Sequence, residues 1–217
     1  MKVEIWSDVM CPFCYIGKRK FETALAQFEH KSEITVEWKS FQLNPNLVTD
    51  TSKNTIQHLA ESKGWTMDYT NQSIKHVTDV ATEVGLHFDF EKAVVANSFD
   101  AHRLLHLAKK YHLQNECKEL LLAAYFTQGK NTADHEVLKN IGTQIGLDAN
   151  EVSNLLANNQ FAKEVNDDIE QAQQIGVRGV PFFVLGNKYA ISGAQSSETF
   201  LAALNQTWNE TVKGNSL

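Results

Sequence analysis

Two cysteines three positions apart, in Cys11-Pro12-Phe13-Cys14, are the residues of this chain best suited to chemistry. If the stretch opens a helix, both sulfurs lie on one face with Cα atoms roughly 5 Å apart, within the range a disulfide spans. Such a pair closes and opens without rebuilding the backbone. The first sulfur would sit among the unpaired N–H groups at the positive end of the helix dipole, where thiolate is favoured over thiol. Pro12 suits a first helical turn, because its missing N–H has no partner to lose there. The rival chemistry is metal binding, a Cys-x-x-Cys being half of a zinc site that needs two more ligands. There is no second Cys-x-x-Cys; His102 and His106, one helical turn apart, could complete a site in principle but follow about 90 residues later. Redox chemistry without a metal is the reading this spacing favours. No Gly-rich phosphate loop is present, and thiol exchange needs no flavin or nucleotide cofactor.

The elements around the motif can be read from periodicity. A short β-branched and aromatic run, Val3-Glu4-Ile5-Trp6, precedes it, and a helical pattern runs from about Tyr15 to Phe28. Ile34 to Trp38 alternates as a half-buried strand does, completing a strand, helix, strand unit that implies a parallel pair with a right-handed crossover. From about Thr51 to Ala162 the signal is helical throughout: Ile74, Val77, Ala81 and Val84 make one apolar stripe, Leu104, Leu107, Ala108 and Tyr111 another, and Leu120 to Phe126 is dense and apolar. After a helix ending near Gly176, the apolar run Phe182 to Leu185, then Gly186-Asn187 and Tyr189-Ala190-Ile191, reads as a two-residue hairpin. Ser196 is a plausible N-cap for a last helix carrying Phe200, Leu201, Leu204 and Trp208. The expected architecture is α/β, with one mixed sheet in residues 1–48 and 163–217 split by an all-helical insertion, 49–162. Only the polar end, 213–217, looks disordered.

Composition narrows the partners. The 217 residues carry a formal charge of −6 with no basic run interleaved with aromatics, which argues against nucleic acid. Three cysteines are too few for a secreted disulfide scaffold. The chain goes straight from Met1 into the presumed first strand, leaving no room for a secretory signal, and no stretch approaches the roughly 18 consecutive apolar residues of a membrane span. A soluble cytoplasmic protein with no membrane partner is expected, and in that compartment a disulfide is more often transient and catalytic than structural. Cys117, among Glu116, Lys118 and Glu119, is expected to be a packed helix cysteine rather than a second redox partner. Lys18 and Arg19 are expected on a solvated helix face, and Trp6 in the core.

Three blocks in order carry a resemblance: Trp6-Ser7-Asp8 leading into Cys11-Pro12-Phe13-Cys14-Tyr15-Ile16-Gly17, then Asn97-Ser98-Phe99-Asp100-Ala101-His102-Arg103, then Gly176-Val177-Arg178-Gly179-Val180-Pro181-Phe182-Phe183. Over nearly its full length the sequence resembles the DsbA family of thiol-disulfide oxidoreductases, and within it the FrnE-like branch. The resemblance implies a thioredoxin-like sheet with an inserted helical domain, and dithiol-disulfide oxidoreductase activity, disulfide isomerisation included. It makes Cys11 the attacking sulfur, Cys14 the resolving one and Pro181 the family's cis-proline, with the backbone of Val180 facing a substrate groove beside Pro12 and Phe13. Asn97, Ser98 and Arg103 would approach the same face and bind a small thiol or a substrate carboxylate. Protein or peptide thiols and disulfides would be substrates, with glutathione or a thioredoxin-type protein as reductant. Where the family's periplasmic oxidant has His between the cysteines this chain has Phe13, which implies a couple less oxidising than that protein's, about −120 mV. Two other classes stay in view: glutathione-dependent isomerases and transferases of the hydroxychromene-carboxylate isomerase and kappa-class type, whose members generally carry serine near the first cysteine position, and a peptide-binding module whose cysteines are incidental.

Overall fold

Strand β1 (Lys2–Ser7), helix α1 (Pro12–Gln27) and strand β2 (Thr35–Ser40) form the first unit of the computed structural model, which describes residues 1–214, with side chains through residue 211. β1 and β2 pair in parallel from Lys2 opposite Thr35 to Ser7 opposite Ser40. Strand β5 (Phe182–Leu185) runs antiparallel to the other edge of β1, and β6 (Tyr189–Ser192) antiparallel to β5, giving the order β2-β1-β5-β6. β1 is thus a central strand, buried on both faces from Val3 onward. The hairpin forms with Gly186 and Asn187 both at positive φ, as a primed turn requires. Its register leaves three residues, not two, between Leu185 and Tyr189. Helix α9 (Ser197–Gly214) starts where expected, the Thr199 N–H donating to Ser196 Oγ at 3.2 Å. Of the polar end expected to be disordered, 215–217 lie outside the described residues and Lys213 and Gly214 carry helical backbone.

The insertion is helical, with one addition. A two-stranded antiparallel ribbon joins β3 (Asp50–Asn54) to β4 (Val94–Val95), which corrects the reading of this region as helical throughout. Asp-Thr-Ser-Lys-Asn offers no alternation of apolar and polar residues, and two valines are too short a run to register as a strand. Around the ribbon lie α2 (Thr55–Lys63), α3 (Met67–Glu83), α4 (Phe99–Lys110), α5 (Gln114–Phe126), α6 (His135–Gln144) and α7 (Ala149–Ala157), and α8 (Ala162–Gln174) packs on both β2 and α4. Every residue of α4 from Ala101 to Ala108 is buried, so it is the axis of the insertion rather than one of its amphipathic walls. Tyr111, expected on its buried stripe, is instead exposed, its phenol donating to Glu151 at 2.6 Å.

Helix α1 joins two cores. Phe21, Ala24 and Phe28 pack with Val3, Ile5, Phe183, Phe200 and Leu204 between sheet and α9. Tyr15 and Ile16, one turn earlier, belong instead to the core of the insertion with Phe88, Phe126 and Leu121. The helix that carries the cysteine motif is therefore held on one side by the sheet and on the other by the inserted helices.

Candidate active site

Cys11 is the N-cap of α1, with extended backbone at φ −92° and ψ 113°, and Cys14 lies in its first turn, its N–H donating to the Cys11 carbonyl at 3.0 Å. Pro12 occupies the start of the helix, as its missing N–H permits. Both cysteines are free thiols within hydrogen-bonding reach of each other. Cys11 is 4% exposed and Cys14 not at all, whereas Phe13 between them is 39% exposed. Across the gap, the Cys11 thiol donates to the Val180 carbonyl at 3.3 Å, and the Val180–Pro181 peptide bond is cis. A Cβ at Gly17 would stand 2.9 Å from Pro181 Cγ, so glycine is what lets the two segments approach this closely.

Beneath the sulfurs lies a buried charged cluster. Lys118, from α5, is fully buried, its Nζ 3.5 Å from the Ser7 carbonyl and over the Trp38 ring at 5.6 Å. Burial pulls the Lys118 ammonium below its ordinary pKa, against the attraction of Cys14, Asp8 and Cys11. Asp8 is also fully buried; burial opposes its charge, but His102 Nε2 at 3.3 Å, the Leu43 N–H at 2.8 Å and the Ser98 hydroxyl bring its pKa down overall. Burial leaves His102 below the usual imidazole range.

The two thiols shift each other's acidity in opposite directions. The hydrogen bond to Cys14, followed by burial, pushes the Cys11 thiol well up. Cys14 is also penalised by burial, yet the Cys11 thiol, the Lys118 cation and the Ser7 hydroxyl bring it down. Ionising one thiol of the pair thus makes ionising the other harder.

Other expected site residues fall elsewhere. Asn97 is consumed by the loop after β2: its Nδ2 donates to the carbonyls of Leu47 (2.8 Å) and Pro45 (3.3 Å), and its Oδ1 accepts from Phe99 N–H and Gln42 Nε2. Arg103 is buried and gives its N–H groups to the carbonyls of Gln160, Leu155 and Asn158 and to Asp100 Oδ1, closing the end of α7. Both direct these groups to partners inside the fold. Lys18 is not solvated but 2% exposed, bonded with Arg19 to Glu22 and to Glu119 of α5. Among the described residues no group of three or more His, Cys, Asp or Glu side chains could hold a metal. His102 faces Asp8, and His106 faces Asp168 and Ser40. Cys117 is a packed cysteine, burial holding its thiol well above the ordinary range.

Lys118 was missed by motif reading, although Lys118, Leu121, Leu122 and Tyr125 recur at helical spacing on one buried face, a pattern that marks the lysine as inward-pointing. The apolar wall facing Cys11 was missed too. Met10, Cys11, Pro12, Phe13 and Val180 border a cavity of about 660 Å³, lined also by Leu59, Trp65, Ile74, Val77 and Phe90 of the insertion.

Comparison with known proteins agrees with this geometry. An uncharacterised protein of Bacillus subtilis, YwbO, is 27% identical over 214 residues, 93% of this chain and 94% of that protein. The crystal structure of a probable DsbA oxidoreductase of Streptomyces coelicolor, SCO1869, superposes with a TM-score of 0.91 at 36% identity, covering 97% of this chain and 91% of that one. The cytosolic disulfide reductase DsbM of Pseudomonas aeruginosa shares the fold, with a TM-score of 0.68 at 14% identity over 96% of this chain and 99% of that one. The profile of the DSBA-like thioredoxin domain matches residues 2–205, nearly the whole sequence. With that match, a thioredoxin-like sheet interrupted by helices and a dithiol opposite Pro181, the chain belongs to the DSBA-like thioredoxin domain family.

Proposed function

We propose that this protein is a dithiol-disulfide oxidoreductase in which Cys11 attacks and Cys14 resolves. The observation that carries the reading is the pair of free thiols at the head of α1, within hydrogen-bonding reach of each other, beside the buried Lys118 and opposite the Val180 carbonyl. Cys11 thiolate attacks one sulfur of a substrate disulfide and expels the other as thiolate, leaving a mixed disulfide. Cys14 thiolate then attacks Cys11 Sγ, releasing the second substrate thiolate and closing Cys11–Cys14, so that two electrons pass from the dithiol to the substrate. Once Cys11 is in a mixed disulfide it no longer has an S–H to donate, and the Val180 carbonyl is free to accept a hydrogen bond from a bound substrate. The reverse sequence donates a disulfide, and a dithiol reductant of thioredoxin type, or glutathione, would close a reductive cycle in the cytoplasm.

A Cys14→Ala variant should accumulate mixed disulfides through Cys11, and a Cys11→Ser variant should form none. If Cys11→Ser exchanges disulfides as the natural protein does, the reading is lost. The glutathione-dependent isomerase alternative is disfavoured by retention of both sulfurs; turnover of glutathione conjugates by a Cys14→Ser variant would revive it.

A further inference from the structure

Access to Cys11 is restricted. With 4% of its surface exposed, its sulfur is approached through the cavity that Cys11 borders. That cavity, of about 660 Å³, has the size of an ordinary small-ligand site. Its walls come from the start of α1, the segment before Pro181, and α2 and α3 of the insertion.

The chemistry of the lining is one-sided. It holds no Lys, Arg, Asp or Glu, and its one titratable ring at the edge is the exposed His76. Tyr125 lies at its buried floor, pushed up to about 12 by burial and so uncharged, within 3.4 Å of the Thr55 hydroxyl. Lys63 borders an adjoining hollow of about 380 Å³ that Cys11 does not border. A glutathione carboxylate in the cavity would find no lysine or arginine in its lining, and the chain as a whole is already at −6.

Resting on the dithiol reading above, we infer that the cavity is a binding site for an uncharged, apolar thiol of low molecular mass and its disulfide. The sulfur lies against Cys11, and the hydrocarbon body against Leu59, Trp65, Ile74, Val77 and Phe90. In the reductive direction the apolar disulfide accepts two electrons from the dithiol and leaves as two thiols, and a dithiol reductant restores Cys11 and Cys14.

Two readouts test this and separate its failure from that of the redox reading. In single turnover, the reduced protein is mixed with dipropyl disulfide, bis(2-hydroxyethyl) disulfide or glutathione disulfide, and each rate is divided by that of the same disulfide with free dithiothreitol. The expected order is dipropyl first, with glutathione disulfide at least about tenfold slower. Equal or faster normalised reaction of glutathione disulfide overturns the inference while leaving the dithiol chemistry intact. Separately, benzyl phenyl sulfide, which cannot exchange, should protect Cys11 from iodoacetamide, and absence of protection also overturns it. Val77→Glu, which puts a charge in the wall, should abolish that protection; thermal melting of the variant distinguishes a charged cavity from an unfolded helix, and an intact variant still protected counts against the site. If no disulfide oxidises the pair but protection holds, the redox reading fails and the cavity stands.

Discussion

At the scale of single residues, the electrostatics of the dithiol are set by groups that touch neither the motif nor each other in sequence. Lys118 stabilises the thiolate and Asp8 opposes it, so substitutions at the two should act in opposite directions. Lys118→Met should slow alkylation of the pair at neutral pH and shift its pH profile upward by about one unit or more, whereas Asp8→Asn should speed it. Because the ammonium is buried at a cost, the methionine variant should lose little or no thermal stability, which separates an electrostatic effect from unfolding. Stabilising thiolate also stabilises the reduced form. Lys118→Met should therefore make the couple less oxidising, by about 30 mV for each tenfold change in the exchange equilibrium with glutathione. The low potential expected from Phe13 alone omits this cation, whose effect is in the opposite direction. The two cysteines and Pro181 were legible because motif and order suffice to place them. Lys118, Asn97 and Arg103 were not, because a polar residue's meaning depends on whether its partners are backbone, solvent or sulfur, and spacing along the chain does not carry that.

Elements position the site by close approach and by one ion-pair network. Gly17→Ala would force Pro181 or α1 to shift by tenths of an ångström, and we expect a loss of about 1–3 kcal/mol in urea unfolding together with slower exchange. Glu119 links α5 to α1 through Lys18, Arg19 and the Tyr15 phenol, and although burial works against its charge these partners hold it at about 2, against an ordinary 4.5. A carboxyl with a depressed pKa stabilises the fold fully above its unfolded value and loses that contribution as pH falls toward its folded one. Glu119→Gln should thus cost on the order of 1 kcal/mol at neutral pH, after solvent screening. Its urea midpoint should converge on that of the natural protein between pH 4.5 and about 2. Strands β1, β2, β5 and β6 and the capped last helix were readable from period and turn chemistry. The β3–β4 ribbon and the all-round burial of α4 were not, since the first lacks an apolar pattern and the second interrupts its pattern with His102, Arg103 and His106.

For the molecule as a whole, the shared helix makes the sheet and the insertion one mechanical unit. Its two faces belong to two cores, so neither core can open without exposing apolar surface of the other. Unfolding in urea, followed by tryptophan fluorescence and by far-UV circular dichroism, should give coincident transitions, and a separate early melting of the insertion would contradict this. The class of fold was legible from the order of the elements. That the insertion also furnishes Lys118 and the wall of the cavity was not, because it arises from packing between segments about 100 residues apart.

Tyr15 and Lys18 face α5 while Phe21 and Phe28 face the sheet, and that division of labour bears on how such proteins can be recombined. A chimaera that exchanges the helical block for a relative's must also exchange the outward-facing positions of the cysteine helix, or it will join two halves whose docking surfaces no longer match. The dipeptide Pro12-Phe13, by contrast, borders the cavity rather than either core, so its replacement would retune the site while leaving the docking of the two cores in place.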